Sequence, residues 1–229
     1  MQGTDGVNWG ELKDEINNYC ENVFTDTQLA TFAEQAEQRI FNSVQFPSLR
    51  KNVTGFTSAN NRYLQCPSDF LAPYSMAAID ADGSYHYLLN KDVNFIREAF
   101  PIPTGANNTG RPYCYALFGP DYSAPNELTF LLGPTPDAAY EMELHYFFYP
   151  TSISNGNVDS TTTWLSDNFD TVLLYGSLVE AYTFLKGEPD MVGLVTNRYK
   201  EALTLAKRLG DGMERMDAYR SGQVRDRVV

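Results

Sequence analysis

The sequence predicts an α+β protein: a discontinuous antiparallel helical bundle with an inserted antiparallel β-domain and a C-terminal tail. Three observations lead there. Apolar residues recur at helical spacing in residues 8–45 and again in 163–212, at opposite ends of the chain. Between them, residues 48–162 hold 10 of the 15 tyrosines, most of the Pro, Asn and Gly turn signals, and several runs that alternate with a period of two. Each helical stretch carries more apolar surface than a hairpin can leave in water, so each is the natural cover of the other. The expected segments are 1–47, first half of the helical domain; 48–162, inserted β-domain; 163–212, second half of the helical domain; and 213–229, C-terminal arm.

In chain order, Trp9, Leu12, Ile16, Tyr19 and Val23 mark one face of a first helix. A second begins at Thr25, with Gln28 completing a capping box and Phe24 and Leu29 as a hydrophobic staple. Its stripe is Leu29, Phe32, Ala33, Ala36, Ile40 and Val44, and Pro47 stops it. Strands are expected near 51–57, 61–65, 74–80, 84–89, 112–118, 127–132 and 139–149, with a short helix over 90–100. The clearest strand pair is 127–132 with 139–149, joined by GPTPDA; Leu128, Phe130 and Leu132 face inward from one strand and Tyr140, Met142, Leu144, Tyr146 and Phe148 from the other. Asp82-Gly83 marks a hairpin turn. The best-defined stretch is 163–212. There Ser166 reads as an N-cap, two apolar stripes follow, and Lys186-Gly187 end the first helix. Pro189 opens the next, which carries Val192, Val195, Tyr199, Ala202, Ala206 and Leu209 and stops before Gly210 and Gly212, a possible hinge.

Charge narrows the partners. The net charge is −12, with residues 1–50 at −5, 51–163 at −6, 164–206 at −3 and only 207–229 positive, at +2. An acidic body repels phosphate and argues against a DNA-gripping domain. It suits a surface past which DNA slides, but on charge alone solubility is the simpler explanation. No apolar run reaches the roughly 20 residues needed to span a bilayer, and the N-terminal residues show no secretory signal. Cys20, Cys66 and Cys114 are odd in number and unpaired in spacing, which points to free thiols in a reducing compartment.

No set of residues stands out as catalytic, cofactor-binding or metal-binding. His86 and His145 lack partners at zinc-ligand spacing. GANNTGRP, 105–112, has the outer glycines of a phosphate loop, but Arg111 and Pro112 replace the Lys and Ser/Thr that do the chemistry. Asp80, Asp82 and Gly83 match part of a calcium loop with its glycine too early. Glu11 with Glu15, and Glu141 with Glu143, are carboxylate pairs in sequence only. Cys66 and Cys114 have no orienting base nearby in sequence, and Ser177 has no nucleophile-elbow pattern. The tyrosines divide between core and a contact surface for sugar or protein.

Taken together, three groups of residues carry a resemblance. They are Asn61-Arg62-Tyr63-Leu64 with Pro67-Ser68-Asp69-Phe70-Leu71; Leu132-Gly133-Pro134-Thr135-Pro136 before Glu143 to Pro150; and Leu173 to Tyr182 with Tyr199-Lys200-Glu201-Ala202-Leu203. In this order and spacing the chain resembles the phage head-to-tail adaptor proteins, also called connectors or tail tubular protein A-like proteins, over nearly its whole length. The resemblance implies a structural, non-enzymatic virion component without cofactors, assembled in the bacterial host cytoplasm. It implies a ring, twelvefold, between the portal and the tail nozzle or tube, through which DNA passes without specific binding. The free chain is compatible with a monomer. On that analogy 213–229 is a portal-docking arm, with Tyr219, Arg220, Arg225, Arg227 and Val229 as contacts. Ring closure is heterologous, and charge alone sets Glu34 and Glu37, with Glu11, Asp14 and Glu15, against Arg198, Lys200, Lys207 and Arg208 of the next subunit. Two other readings are a tyrosine-rich receptor- or glycan-binding virion module and a peptidoglycan hydrolase.

Overall fold

The computed structural model describes residues 6–44, 46–105, 107–121 and 124–215. It is 43% helix and 24% strand, which places the chain in the α+β class. The chain divides into two compact units, one of residues up to Leu49 and from Tyr149 onward, the other of Arg50–Phe148. Residues 149–162, expected with the β-insert, therefore belong to the helical unit. The backbone explains this: the Trp9 and Gly10 N–H groups donate to the carbonyls of Thr161 and Asp159, both at 2.9 Å.

The helical unit begins with α1 (Trp9–Cys20) and α2 (Asp26–Ser43). Capping defines both starts. Asn8 and Glu11 form a capping box on α1, and Thr25 and Gln28 the expected one on α2. Trp9, Leu12 and Ile16 are buried, but Tyr19 and Val23 are exposed, because α1 stops at Cys20 where Glu21 turns left-handed (φ 46°). The whole α2 stripe from Leu29 to Val44 is buried as its spacing predicts. Phe24 packs edge-on against Phe32, at 5.2 Å between centroids, and against Phe184.

Beyond Tyr149 the unit resumes with α4 (Trp164–Asn168), α5 (Asp170–Phe184) and α6 (Pro189–Arg215); α3 (Val93–Ala99) lies in the β-unit. Ser166 is not an N-cap. Thr163 caps α4, and the Ser166 hydroxyl accepts from the Thr163 N–H at 2.9 Å as the far side of a capping box. A break at Phe169 (φ −141°, ψ 44°) separates α4 from α5 and brings the Phe169 ring against Phe46 and Trp164. The turn after α5 places Lys186, not Gly187, in the left-handed region, at φ 53°. α6 runs unbroken through Gly210 and Gly212 to Arg215, so the expected stop and hinge there are absent. Glycine inside a helix costs only about 1 kcal/mol, and Gly210 is buried in the packing.

α5 contacts α1, α2 and α6, which is why it is apolar around most of its circumference. Gly176 sits at the crossing. A Cβ there would lie 3.1 Å from the Ala36 Cβ, 3.3 Å from the Tyr199 ring and 3.7 Å from the Ile40 Cδ1. Valine at this position adds two further methyl groups where one is already tight. We expect Gly176→Val to lower stability by about 2 kcal/mol, outweighing the helix-propensity gain. Urea unfolding with an unchanged midpoint would refute this packing argument.

The β-unit holds β1 (Arg50–Phe56), β2 (Tyr63–Gln65), β3 (Ala72–Ile79), β4 (Tyr85–Tyr87), β5 (Leu89–Asn90), α3 (Val93–Ala99), β6 (Cys114–Asp121), β7 (Ala124–Gly133) and β8 (Glu141–Phe147). Two four-stranded sheets form, in orders β1-β8-β3-β4 and β2-β7-β6-β5. The expected pairing of 127–132 with 139–149 is therefore wrong: β7 bonds to β2 and β6, and β8 to β1 and β3. The GPTPDA segment, with a cis Gly133–Pro134 peptide, carries the chain from one sheet to the other. The inward residues were correctly placed all the same. Phe130 and Leu132 from β7 meet Met142, Leu144 and Tyr146 from β8 in one core. Asp82-Gly83 does turn β3 into β4, with Gly83 at φ 82°. On the other side of β7, Leu131 joins Ile96, Phe100, Cys114 and Ala116 under α3.

Candidate interaction surfaces

Most of the groups that sequence alone offers as chemistry have structural partners. The Ser177 hydroxyl is buried and donates to the Leu173 carbonyl at 2.9 Å. Cys66 and Cys114 lie in the two β-unit cores; burial pushes the Cys66 thiol up to about 12 and raises Cys114 as well. Asp80 pairs with Arg111 at 2.6 Å and with His86 at 2.8 Å. That one carboxylate thus engages both the arginine of the phosphate-loop-like segment and one of the two histidines. Asp82 accepts from the Ser84 N–H at 3.0 Å as a turn residue. After Gly105 the chain makes a turn and a bridge between Thr109 and Thr135, not a helix. Glu11 is spent on its capping box, and Glu143 faces His145 at 3.2 Å. Among the described residues no cluster of three or more His, Cys, Asp or Glu is arranged to hold a metal ion. No helix among them is long and apolar enough to cross a membrane.

What the chain does offer is surface. In the helical unit a groove of about 390 Å³ runs between the α4–α5 break and α6, lined by Phe169, Val172, Tyr175, Arg198, Ala202 and Leu205. Arg198 and Lys200 are exposed on α6, with Arg198 3.6 Å from Glu201. Glu34 lies on α2, where it accepts from the Ser154 hydroxyl at 3.1 Å. Glu37 does not belong to that exposed face. It is buried, only 4% exposed, and accepts from the Ile153 N–H at 3.0 Å. The helical spacing that makes it look solvated holds for α2 alone; the strap of residues 149–157 lies over it. Burial pushes its carboxyl up to about 7, against the opposing hydrogen bonds from Ser152 and Ile153, with the nearby Glu34 charge adding to the rise. Tyr219, Arg220, Arg225, Arg227 and Val229 lie outside the described residues.

The comparisons with known proteins settle the family. The SU10 adaptor protein family model matches residues 7–227, through both units of the chain. The chain belongs to the SU10 adaptor protein family. This is a phage head-to-tail adaptor family, as the resemblance implies, and the chain is accordingly a structural adaptor and a component of a tailed-phage virion. A search of the curated proteins finds no match. The family implies association with other virion proteins.

Proposed function

We propose that the chain assembles into a closed ring of twelve copies joining the portal to the tail nozzle or tube, with DNA passing through its centre without specific binding. The observation that carries this reading is the family match across residues 7–227, supported by the net charge of −12 on a chain with one net basic segment. In this arrangement the helical unit meets neighbouring subunits and the portal, and the β-unit faces the tail. Exposed Arg198 and Lys200 on α6 meet the acidic side of the next subunit's first hairpin, with Glu11, Asp14, Glu15 and Glu34 the candidates left once the buried Glu37 is removed. The arm beyond Arg215 reaches the portal through Tyr219, Arg220, Arg225, Arg227 and Val229. The free chain stays monomeric until the portal provides a template.

Native mass spectrometry of the chain, alone and after addition of portal, tests the ring directly. The expected product with portal is a twelve-copy closed assembly. Failure to form any closed ring on the portal rules the reading out. Truncation after Arg215 tests the arm separately, since the described part of α6 is retained. We expect portal affinity to fall at least tenfold; unchanged affinity excludes the arm.

A further inference from the structure

Among the described residues, the end of the outer face of the sheet β1-β8-β3-β4 around Phe56, Tyr85 and Tyr87 is exposed and has a definite chemistry. Because Met142 and Leu144 point into the core, their neighbours Glu141 and Glu143 point out. Strand register places two rows across this face: Phe56, Glu141, Ile79 and Tyr85 in one, and Thr54, Glu143, Ala77 and Tyr87 in the next. Tyr87 is 72% exposed, Phe56 67% and Tyr85 49%, and the two tyrosine rings stand 6.5 Å apart. These two rows therefore set two carboxylates among three exposed aromatic rings, with no lysine or arginine at any of their eight positions.

The other end of the same face shows what such a surface holds. There β1, β8 and β3 bring Arg50, Phe147 and Ala72 into one row. The Arg50 guanidinium lies 4.7 Å from the Tyr74 ring centre and 5.5 Å from that of Phe147. The fold thus seats one guanidinium between two aromatic rings at one end. At the other end it repeats the aromatic pair and adds two carboxylates, Glu143 with the His145 ring 3.2 Å away, and the two rows supply no lysine or arginine.

We propose that the Tyr85, Tyr87, Glu141 and Glu143 surface docks an arginine-bearing extended segment of another virion polypeptide. Arginine suits it better than lysine, because a planar guanidinium can stack on a tyrosine ring while its fork bonds a carboxylate. Glu141 and Glu143 are two residues apart on one strand, about 7 Å. An extended Arg-x-Arg segment laid along β8 repeats at the same interval and meets both. Single exposed ion pairs contribute little; two carboxylates with two rings give a surface that selects sequence as well as charge. The inference stands on the β-unit alone and is independent of ring formation and of the arm.

The test uses the full chain and the peptide acetyl-Gly-Arg-Ser-Arg-Gly-amide, followed by amide chemical shifts in two-dimensional NMR. We expect shifts concentrated at residues 85–87 and 141–143, and affinity at least tenfold lower in the double variant Glu141→Gln/Glu143→Gln. A loss of similar size is expected in Tyr85→Ala/Tyr87→Ala, and none in Glu188→Gln, which removes an exposed acidic charge in the helical unit. Equal binding by the wild type and the Glu141→Gln/Glu143→Gln variant overturns the proposal, as does equal binding by the tyrosine variant. A synthetic peptide of residues 216–229 that occupies the same surface more tightly would assign it to a second copy of this chain and overturn the choice of a different polypeptide. Any of these outcomes leaves the ring test unaffected, so the two readings fail separately.

Discussion

Glu37→Gln raises the stability of this chain at pH 8 by up to about 3 kcal/mol and removes a pH dependence between about pH 4.5 and 7. The carboxyl is raised in the fold, from 4.5 to about 7, so the folded chain holds a proton in this interval that the unfolded chain has released. Stability from this group is therefore full at low pH. It declines as pH rises through the interval and is gone above about 7. Glutamine keeps the carbonyl that accepts from the Ile153 N–H at 3.0 Å and never has to be ionised in the interior. The shifted aspartates act in the other direction and in another range. Asp26, Asp69 and Asp82 are held below their usual value, so what they contribute is present at neutral pH and lost on acidification below it. Thermal midpoints of both proteins at pH 5, 6 and 8 check the result. Two parallel curves would show that Glu37 does not titrate in this way.

The second large effect is at Trp9. Its side chain is fully buried, its indole N–H donates to the Asn157 side chain at 2.8 Å, and its backbone N–H donates to Thr161. The same indole thus fills the core and pins the returning segment 155–161 onto α1. Lys13 adds a second tie, at 2.7 Å from Asp159, which raises its own pKa. Trp9→Ala removes the largest buried side chain of the unit, with an expected loss of 3–5 kcal/mol, on the order of the whole stability of many domains. Trp9→Phe separates the two contributions. It retains most of the apolar volume and gives up the hydrogen bond, so about 1–2 kcal/mol of the loss should remain. Urea unfolding distinguishes the outcomes; a Trp9→Ala loss under 1 kcal/mol would mean the site collapses and refills.

These two residues also show what could be read without coordinates. Trp9 was legible, because helical periodicity says which side of a helix is apolar. Glu37 was not. Periodicity on α2 assigns Glu37 to the polar edge, and only the distant segment 149–157 turns that edge into interior. The strands divide in the same way. Alternation placed Phe130, Leu132, Met142 and Leu144 inward correctly, because each strand faces a core on one side. It could not reveal that β7 and β8 lie in opposite sheets, since two strands facing each other across a core alternate just as two bonded neighbours do. Capping was read well at Thr25, where one Thr and one Gln stand at the right interval. At 163–166 the Thr-x-x-Ser motif competes with Ser166 itself as a cap, and only the backbone shows that Thr163 takes the role. On the candidate surfaces the tyrosine-rich insert was evident from composition, but which tyrosines are exposed depends on register. Tyr146 is buried in the core and Tyr87 lies open to solvent, though both sit in strands of alternating residues.

Register has one more consequence. The chain enters the β-unit at Arg50, which is the ladder partner of Phe147, next to the residue where the chain leaves it. Antiparallel partners are about 5 Å apart, the span of a tight turn. Residues 50–148 are thus built as a cassette whose two ends meet at one seam. Such a cassette can be exchanged whole for another without altering a residue of the helices that flank it.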